Sequence, residues 1–246
     1  MLICGFNKTT LLDYPEHVAA TVFLGGCNFR CPFCQNRDLL LHPADFASFT
    51  EEEVFEHLKK RSSMLTGVCI SGGEPTIYKD LPEFLARIKE LGYLVKLDTN
   101  GTNPDMLRRL YKENLIDYVA MDIKTAPSDY ARVAGFSEVE NSIFTASGQN
   151  LLEYVKESVR FLMHETNPSS FTYEFRTTVV RELHRAEAFE EIGSWIRGAS
   201  RYFLQSYKDS DHVLCPGFHA YSKAELEAFA DLLRPMIPSV SLRGVD

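Results

Sequence analysis

Short strand-like apolar runs alternate with stretches of helical periodicity along most of this 246-residue chain, and that alternation limits the folds open to it. Val18 to Leu24 forms the first run and leads into Gly25-Gly26. Thr50-Glu51-Glu52-Glu53 is a capping box that predicts a helix to about Arg61, because the Thr50 hydroxyl accepts from the third amide while Glu53 reaches back. A buried-looking strand, Gly67 to Ser71, follows. Asp80-Leu81-Pro82-Glu83 reads as a second box, with Gly92 closing that helix before a strand at Tyr93 to Asp98. Asn103-Pro104 starts a helix with proline where no amide is needed, and a strand at Tyr118 to Lys124 comes next. The alternation ends with a helix at Leu151 to His164, a strand at Phe171 to Val180, a helix at Ala186 to Arg197 and a strand at Arg201 to Gln205. Ser222 caps a last helix ending near Arg234, with a short strand at Val240 to Leu242. Residues 1–17 read as a lead-in with turns at Gly5, Asp13 and Pro15, and 125–149 as a long loop with one short helical turn.

Strands alternating with helices of this length predict right-handed βαβ units on a parallel sheet. About six units favour an α/β fold of the partial (β/α)6 barrel type, open on one side, although periodicity alone also permits a flat doubly wound sheet. A single domain over 1–246 is expected: lead-in 1–17, barrel core 18–206, and a C-terminal helix and strand at 207–246.

Between the first strand and the first helix stands Cys27-Asn28-Phe29-Arg30-Cys31-Pro32-Phe33-Cys34. Three thiolates at C-x3-C-x2-C spacing, with no fourth cysteine nearby, suit three irons of a cubane iron–sulfur cluster and leave the fourth iron without a protein ligand. A structural zinc site would need a second clamp of Cys or His downstream, and none follows. Cys4, Cys69 and Cys215 lack ligand spacing, which argues against an auxiliary cluster, and the seven histidines form no clamp.

Strand alternation groups Lys96, Asp98 and Asn100 on one face, Asp122 with Lys124, and Thr172, Glu174, Arg176 and Thr178 on a third strand. In a helix-covered barrel these charged rows face the lumen, where charges are costly unless paired or bound. Two readings follow: a network of internal salt bridges, or a pocket for a zwitterionic, positively charged ligand with polar ribose and carboxylate groups. Ser71-Gly72-Gly73-Glu74-Pro75 ends the second strand, and glycines there let backbone approach a ligand.

The hydrophobic fraction of 45% is ordinary for a soluble protein, and no stretch has the apolar length of a membrane span. A net charge of −8 disfavours a nucleic-acid partner. Met1 to Gly5 carries no secretory pattern, and ligating thiols must stay reduced, so a cytoplasmic protein is expected.

The cysteine run through Gln35-Asn36 resembles the signature of the radical S-adenosylmethionine (SAM) superfamily. Together with Gly5 to Pro15, Ser71 to Thr76, Lys96 to Gly101, Met121 to Lys124 and Tyr173 to Val180, it is most similar to the glycyl-radical activating enzymes, in particular those serving anaerobic ribonucleoside-triphosphate reductase. One departure is Gln35, where many relatives carry His. The resemblance implies a [4Fe-4S] cluster on Cys27, Cys31 and Cys34, with SAM chelating the open iron and cleaved by one electron to a 5′-deoxyadenosyl radical. It implies that Gly72, Gly73 and Glu74 bind the SAM amino group, that Asp98, Thr99 and Asn100 lie near its carboxylate and ribose, and that Arg176 contacts it. It further implies a monovalent cation at Asp98, Thr99 and Asp122. The implied partners are a glycyl-radical enzyme and a flavodoxin- or ferredoxin-type electron donor. Alternatives are activation of a different glycyl-radical enzyme, radical chemistry on another substrate, or a metal-binding scaffold without turnover.

Overall fold

The computed structural model describes residues 1–135 and 151–245. In chain order the strands are β1 (Ile3–Thr10), β2 (Ala19–Leu24), β3 (Gly67–Gly72), β4 (Leu94–Thr99), β5 (Tyr118–Asp122), β6 (Thr172–Val179), β7 (Tyr202–Ser206) and β8 (Val240–Arg243). The helices are α1 (Arg37–Leu41), α2 (Pro43–Phe46), α3 (Glu51–Lys60), α4 (Leu81–Glu90), α5 (Pro104–Lys112), α6 (Tyr130–Ala134), α7 (Leu151–His164), α8 (Ala186–Trp195) and α9 (Lys223–Leu233).

All eight strands form one sheet in the order β1 to β8, parallel throughout except for the antiparallel pair β1 and β2. The strand order runs from one edge to the other without returning, so the sheet is not closed into a barrel. Its outward residues, including Val22, Ile70, Leu97, Met121, Phe175 and Leu204, are completely buried in the main hydrophobic core with the helices. The inward rows carry the polar groups. Register sets Cys69 beside Lys96, Asp98 beside Ala120, and Asp122 beside Arg176.

The lead-in needs correcting. Residues 3–10 are an edge strand, not a run of turns, and Gly5 sits within it opposite Phe23. Its middle is exposed and its register shifts on both sides of the Gly5 to Asn7 stretch, so no apolar alternation marks it in the sequence. Tyr14, on the turn that follows, is buried with its ring centre 5.8 Å from that of Tyr118 in an edge-to-face contact, near the N-terminal ends of the strands. The capping box at Thr50 and Glu53 forms, as does a box between Ser222 and Glu225. The Asp80 box does not: Asp80 makes no cap bond and instead accepts the N-terminal amine of Met1 at 2.9 Å. The short helix expected between 125 and 149 is α6, and 136–149 lies outside the described residues.

Candidate active site

Leu24 ends β2 deep in the core, and the chain then turns through Gly25-Gly26, with Gly26 at φ +79°. From there the cysteine loop is held by backbone on four sides. Gly26 N donates to Leu39 O at 2.7 Å, Arg30 N to Ala134 O at 3.0 Å, and Glu74 N to Gly26 O at 2.8 Å. From the C-terminal segment, Leu214 N donates to Cys34 O at 2.9 Å and Cys215 N to Pro32 O at 2.8 Å. Loop residues without regular structure are therefore fixed by other elements, as a ligand set must be.

Cys27, Cys31 and Cys34 line one open cleft with about 1000 Å³ of empty space, which they share with Gly72, Gly73, Asp98, Asn100 and Arg176. Phe29 N donates to Cys27 Sγ at 3.4 Å, and the Asn100 amide lies 3.8 Å from the same sulfur. Burial pushes the Cys27 thiol up to about 12, with the Glu74 charge adding to it; burial does the same to Cys31, partly offset by Lys124. Among the described residues, no three His, Cys, Asp or Glu side chains are gathered as ligands of a single ion. Three thiols of one loop facing one cleft are the donor type that iron–sulfur clusters take. The donor set thus fits a three-cysteine cluster.

The other predicted residues divide. Gly73 adjoins the loop so closely that a Cβ would stand 1.8 Å from Gly26 O, and Gly72 adopts φ +118° with a Cβ position 2.2 Å from Leu24 O. These glycines are required by the neighbouring backbone as well as by any ligand. Glu74 does not line the cleft. Its carboxylate is fully buried and accepts from Thr76 N (3.0 Å), Thr76 Oγ1 (2.6 Å), Thr99 Oγ1 (2.7 Å) and Asn100 N (2.6 Å). It ties the ends of β3 and β4 together. Burial raises its pKa, and those hydrogen bonds oppose the shift.

On the cleft wall Asp98 accepts from Ser71 Oγ at 2.9 Å, from Arg176 Nη2 at 3.3 Å and from Lys96. Asp122 accepts from Lys124 Nζ at 2.8 Å and from Arg176 Nε. Burial is the largest single influence and would raise both carboxyls, but Arg176 and Lys96 together outweigh it at Asp98, as Arg176 and Lys124 do at Asp122, and both titrate below the ordinary range. The internal salt bridges expected as one reading are present, and they border the cleft itself. The second reading also keeps its place, because Asp98, Asp122, Lys124 and Arg176 all line the cleft. Lys124 and Ser71 line the cleft but are outside the expected ligand set; Lys124 lies on the row that alternation marks with Asp122, and Ser71 opens the strand-end segment that contains the two glycines. Gln205, at the end of β7, also reaches the cleft.

An open parallel sheet with three cysteines of one loop above its C-terminal edge defines a class of fold and site. The family model for the radical SAM superfamily matches residues 21–171. The chain belongs to that superfamily, and membership implies a [4Fe-4S] cluster and SAM as cofactors. It is 32% identical over 211 residues to a candidate glycyl-radical enzyme activating enzyme of Methanocaldococcus jannaschii, over 85% of this chain and 81% of that one. A second relative in that organism, 7,8-dihydro-6-hydroxymethylpterin dimethyltransferase, is 28% identical over 157 residues, covering 59% of this chain and 28% of its own. Streptococcus suis SuiB bound to S-adenosylmethionine superposes with TM-score 0.66 at 14% identity, over 91% of this chain and 52% of SuiB. The present chain spans about half of SuiB, and at that identity the likeness concerns the fold.

Among the described residues, no helix is long and apolar enough to cross a membrane.

Proposed function

We propose that this chain is a glycyl-radical enzyme activase and that its partner is an anaerobic ribonucleoside-triphosphate reductase. The observation that carries the reading is one cleft holding three cysteines of a single loop against a wall of paired carboxylates and cations. Cys27, Cys31 and Cys34 would hold a [4Fe-4S] cluster, and Gly72, Gly73, Asp98, Asn100 and Arg176 would bind SAM beside it. Held there and reduced by an external donor, such a cluster would supply the one electron needed for reductive cleavage of SAM, the chemistry by which a hydrogen atom would be taken from a glycine of the partner. The chain's own contribution is orientation and exclusion of water. Asn100 is fixed by the hydrogen bond that its backbone N–H donates to Glu74 Oε2 at 2.6 Å and by its side-chain donation to Asn28 Oδ1 at 2.8 Å. Arg176 is fixed by two carboxylates, so its guanidinium is preorganised toward a ligand carboxylate. The electron donor would be of flavodoxin or ferredoxin type, and the setting cytoplasmic.

Support for the activase reading comes from the Methanocaldococcus jannaschii relative, whose length this chain largely spans. The test is electron paramagnetic resonance on reconstituted, reduced protein mixed anaerobically with SAM and a candidate reductase. A glycyl doublet on the reductase is the expected result. A doublet appearing only with some other glycyl-radical enzyme would reject the partner.

A further inference from the structure

The monovalent cation implied at Asp98, Thr99 and Asp122 meets a site that is already filled with charge. Each carboxylate oxygen has a partner. Asp98 Oδ1 takes Lys96, and Asp98 Oδ2 takes Ser71 Oγ at 2.9 Å and Arg176 Nη2 at 3.3 Å. Asp122 Oδ1 takes Arg176 Nε, and Asp122 Oδ2 takes Lys124 Nζ at 2.8 Å. The Thr99 hydroxyl is turned to Glu74 Oε1 at 2.7 Å, with Gly101 N donating to it at 3.1 Å. Two carboxylates thus face three side-chain cations, and a further ion would be repelled by the surplus and would have to displace an ammonium or guanidinium.

Among these cations Lys96 is placed differently. It does not line the cleft; it lies behind Asp98 at 2% exposure, with its Nζ 3.7 Å from Cys69 Sγ and 5.9 Å from the centre of the Tyr118 ring. An ammonium so enclosed has the charge of a potassium ion but is tethered to β4. We infer that Lys96 is a positioning residue that takes the place of a bound monovalent cation, holding Asp98 for the ligand and making the site independent of sodium and potassium. The inference rests on the SAM-binding reading above.

The experiment compares the anaerobically reconstituted protein in potassium chloride with the same protein in tetramethylammonium chloride at equal ionic strength. SAM affinity is measured by calorimetry, and binding of thallous ion to the SAM-free protein by 205Tl line broadening. The wild type should bind SAM within twofold in the two salts and should not broaden the thallous signal. In Lys96→Ala, which vacates the seat, SAM affinity should fall tenfold or more without potassium and recover on its addition. A tenfold loss for the wild type in tetramethylammonium, or thallous binding that Asp98→Asn removes, would overturn the inference. So would a folded Lys96→Ala protein whose SAM affinity ignores potassium. Should that variant not fold, the two wild-type measurements decide. Failure of the wild type to bind SAM in either salt would strike the SAM-binding reading, while the thallous measurement would still judge Lys96.

Discussion

Gly73 shows how tightly the cysteine loop is built into the sheet. Its absent side chain would occupy the place of Gly26 O, 1.8 Å away. Gly73→Ala should therefore push the loop out, cost about 3 kcal/mol in urea unfolding of the metal-free protein, and lower iron retained after anaerobic reconstitution. His184 offers a test by pH. The ring is fully buried, its Nδ1 accepts from Val180 N at 3.0 Å and its Nε2 donates to Lys124 O at 2.7 Å, so both nitrogens suit the neutral form. Burial lowers its pKa from the ordinary 6.5. The unfolded chain then takes up a proton first as pH falls, and the contribution, full above 6.5, is lost as pH drops through the lower folded value. Unfolding midpoints measured from pH 7.5 to 5 should decline, and His184→Gln should flatten the part of the slope that this ring supplies. An unchanged slope in the variant would place the effect elsewhere.

Secondary structure elements were legible where local chemistry decides them. Thr50 and Glu53 close their box with bonds of 3.2 Å and 2.8 Å, and the box was readable because all its partners lie within four residues. The Asp80 box failed for a reason no window could show: its carboxylate is engaged by the N-terminal amine 79 residues away. Thr50→Ala should accordingly cost about 1 kcal/mol in thermal or urea unfolding, whereas Asp80→Ala, removing an exposed ion pair and no cap, should cost less than half of that. Equal costs would mean that Asp80 caps α4 in solution. β1 escaped detection for a related reason, since an edge strand with an exposed middle needs no alternating apolar pattern. Within the site, alternation correctly grouped Lys96 with Asp98 and Glu174 with Arg176, because the two-residue period fixes which face a side chain takes. It could not show that Glu74, read as a ligand contact, takes two of its donors, Thr99 Oγ1 and Asn100 N, from 25 and 26 residues downstream.

Across the whole molecule, charge is distributed by strand. Glu174 on β6 is fully buried, yet it accepts from Tyr118 Oη at 2.5 Å and from both terminal nitrogens of Arg243 on β8, at 2.5 and 2.8 Å. The last strand therefore neutralises a carboxylate two strands away and fixes the edge of the open sheet. Removing the guanidinium in Arg243→Ala leaves that charge enclosed, so a loss of about 3 kcal/mol in urea unfolding is expected, and Glu174→Gln in the same background should recover part of it. No recovery would show that Arg243 acts through its packing on Phe203, whose ring centre lies 3.5 Å from the guanidinium carbon. The most direct test is production of 5′-deoxyadenosine by anaerobically reconstituted, strongly reduced protein given SAM. The account predicts product from the wild type and none from Cys27→Ala, Cys31→Ala or Cys34→Ala. A wild type that retains four irons and yields no 5′-deoxyadenosine, or a cysteine variant that still yields it, would contradict the account.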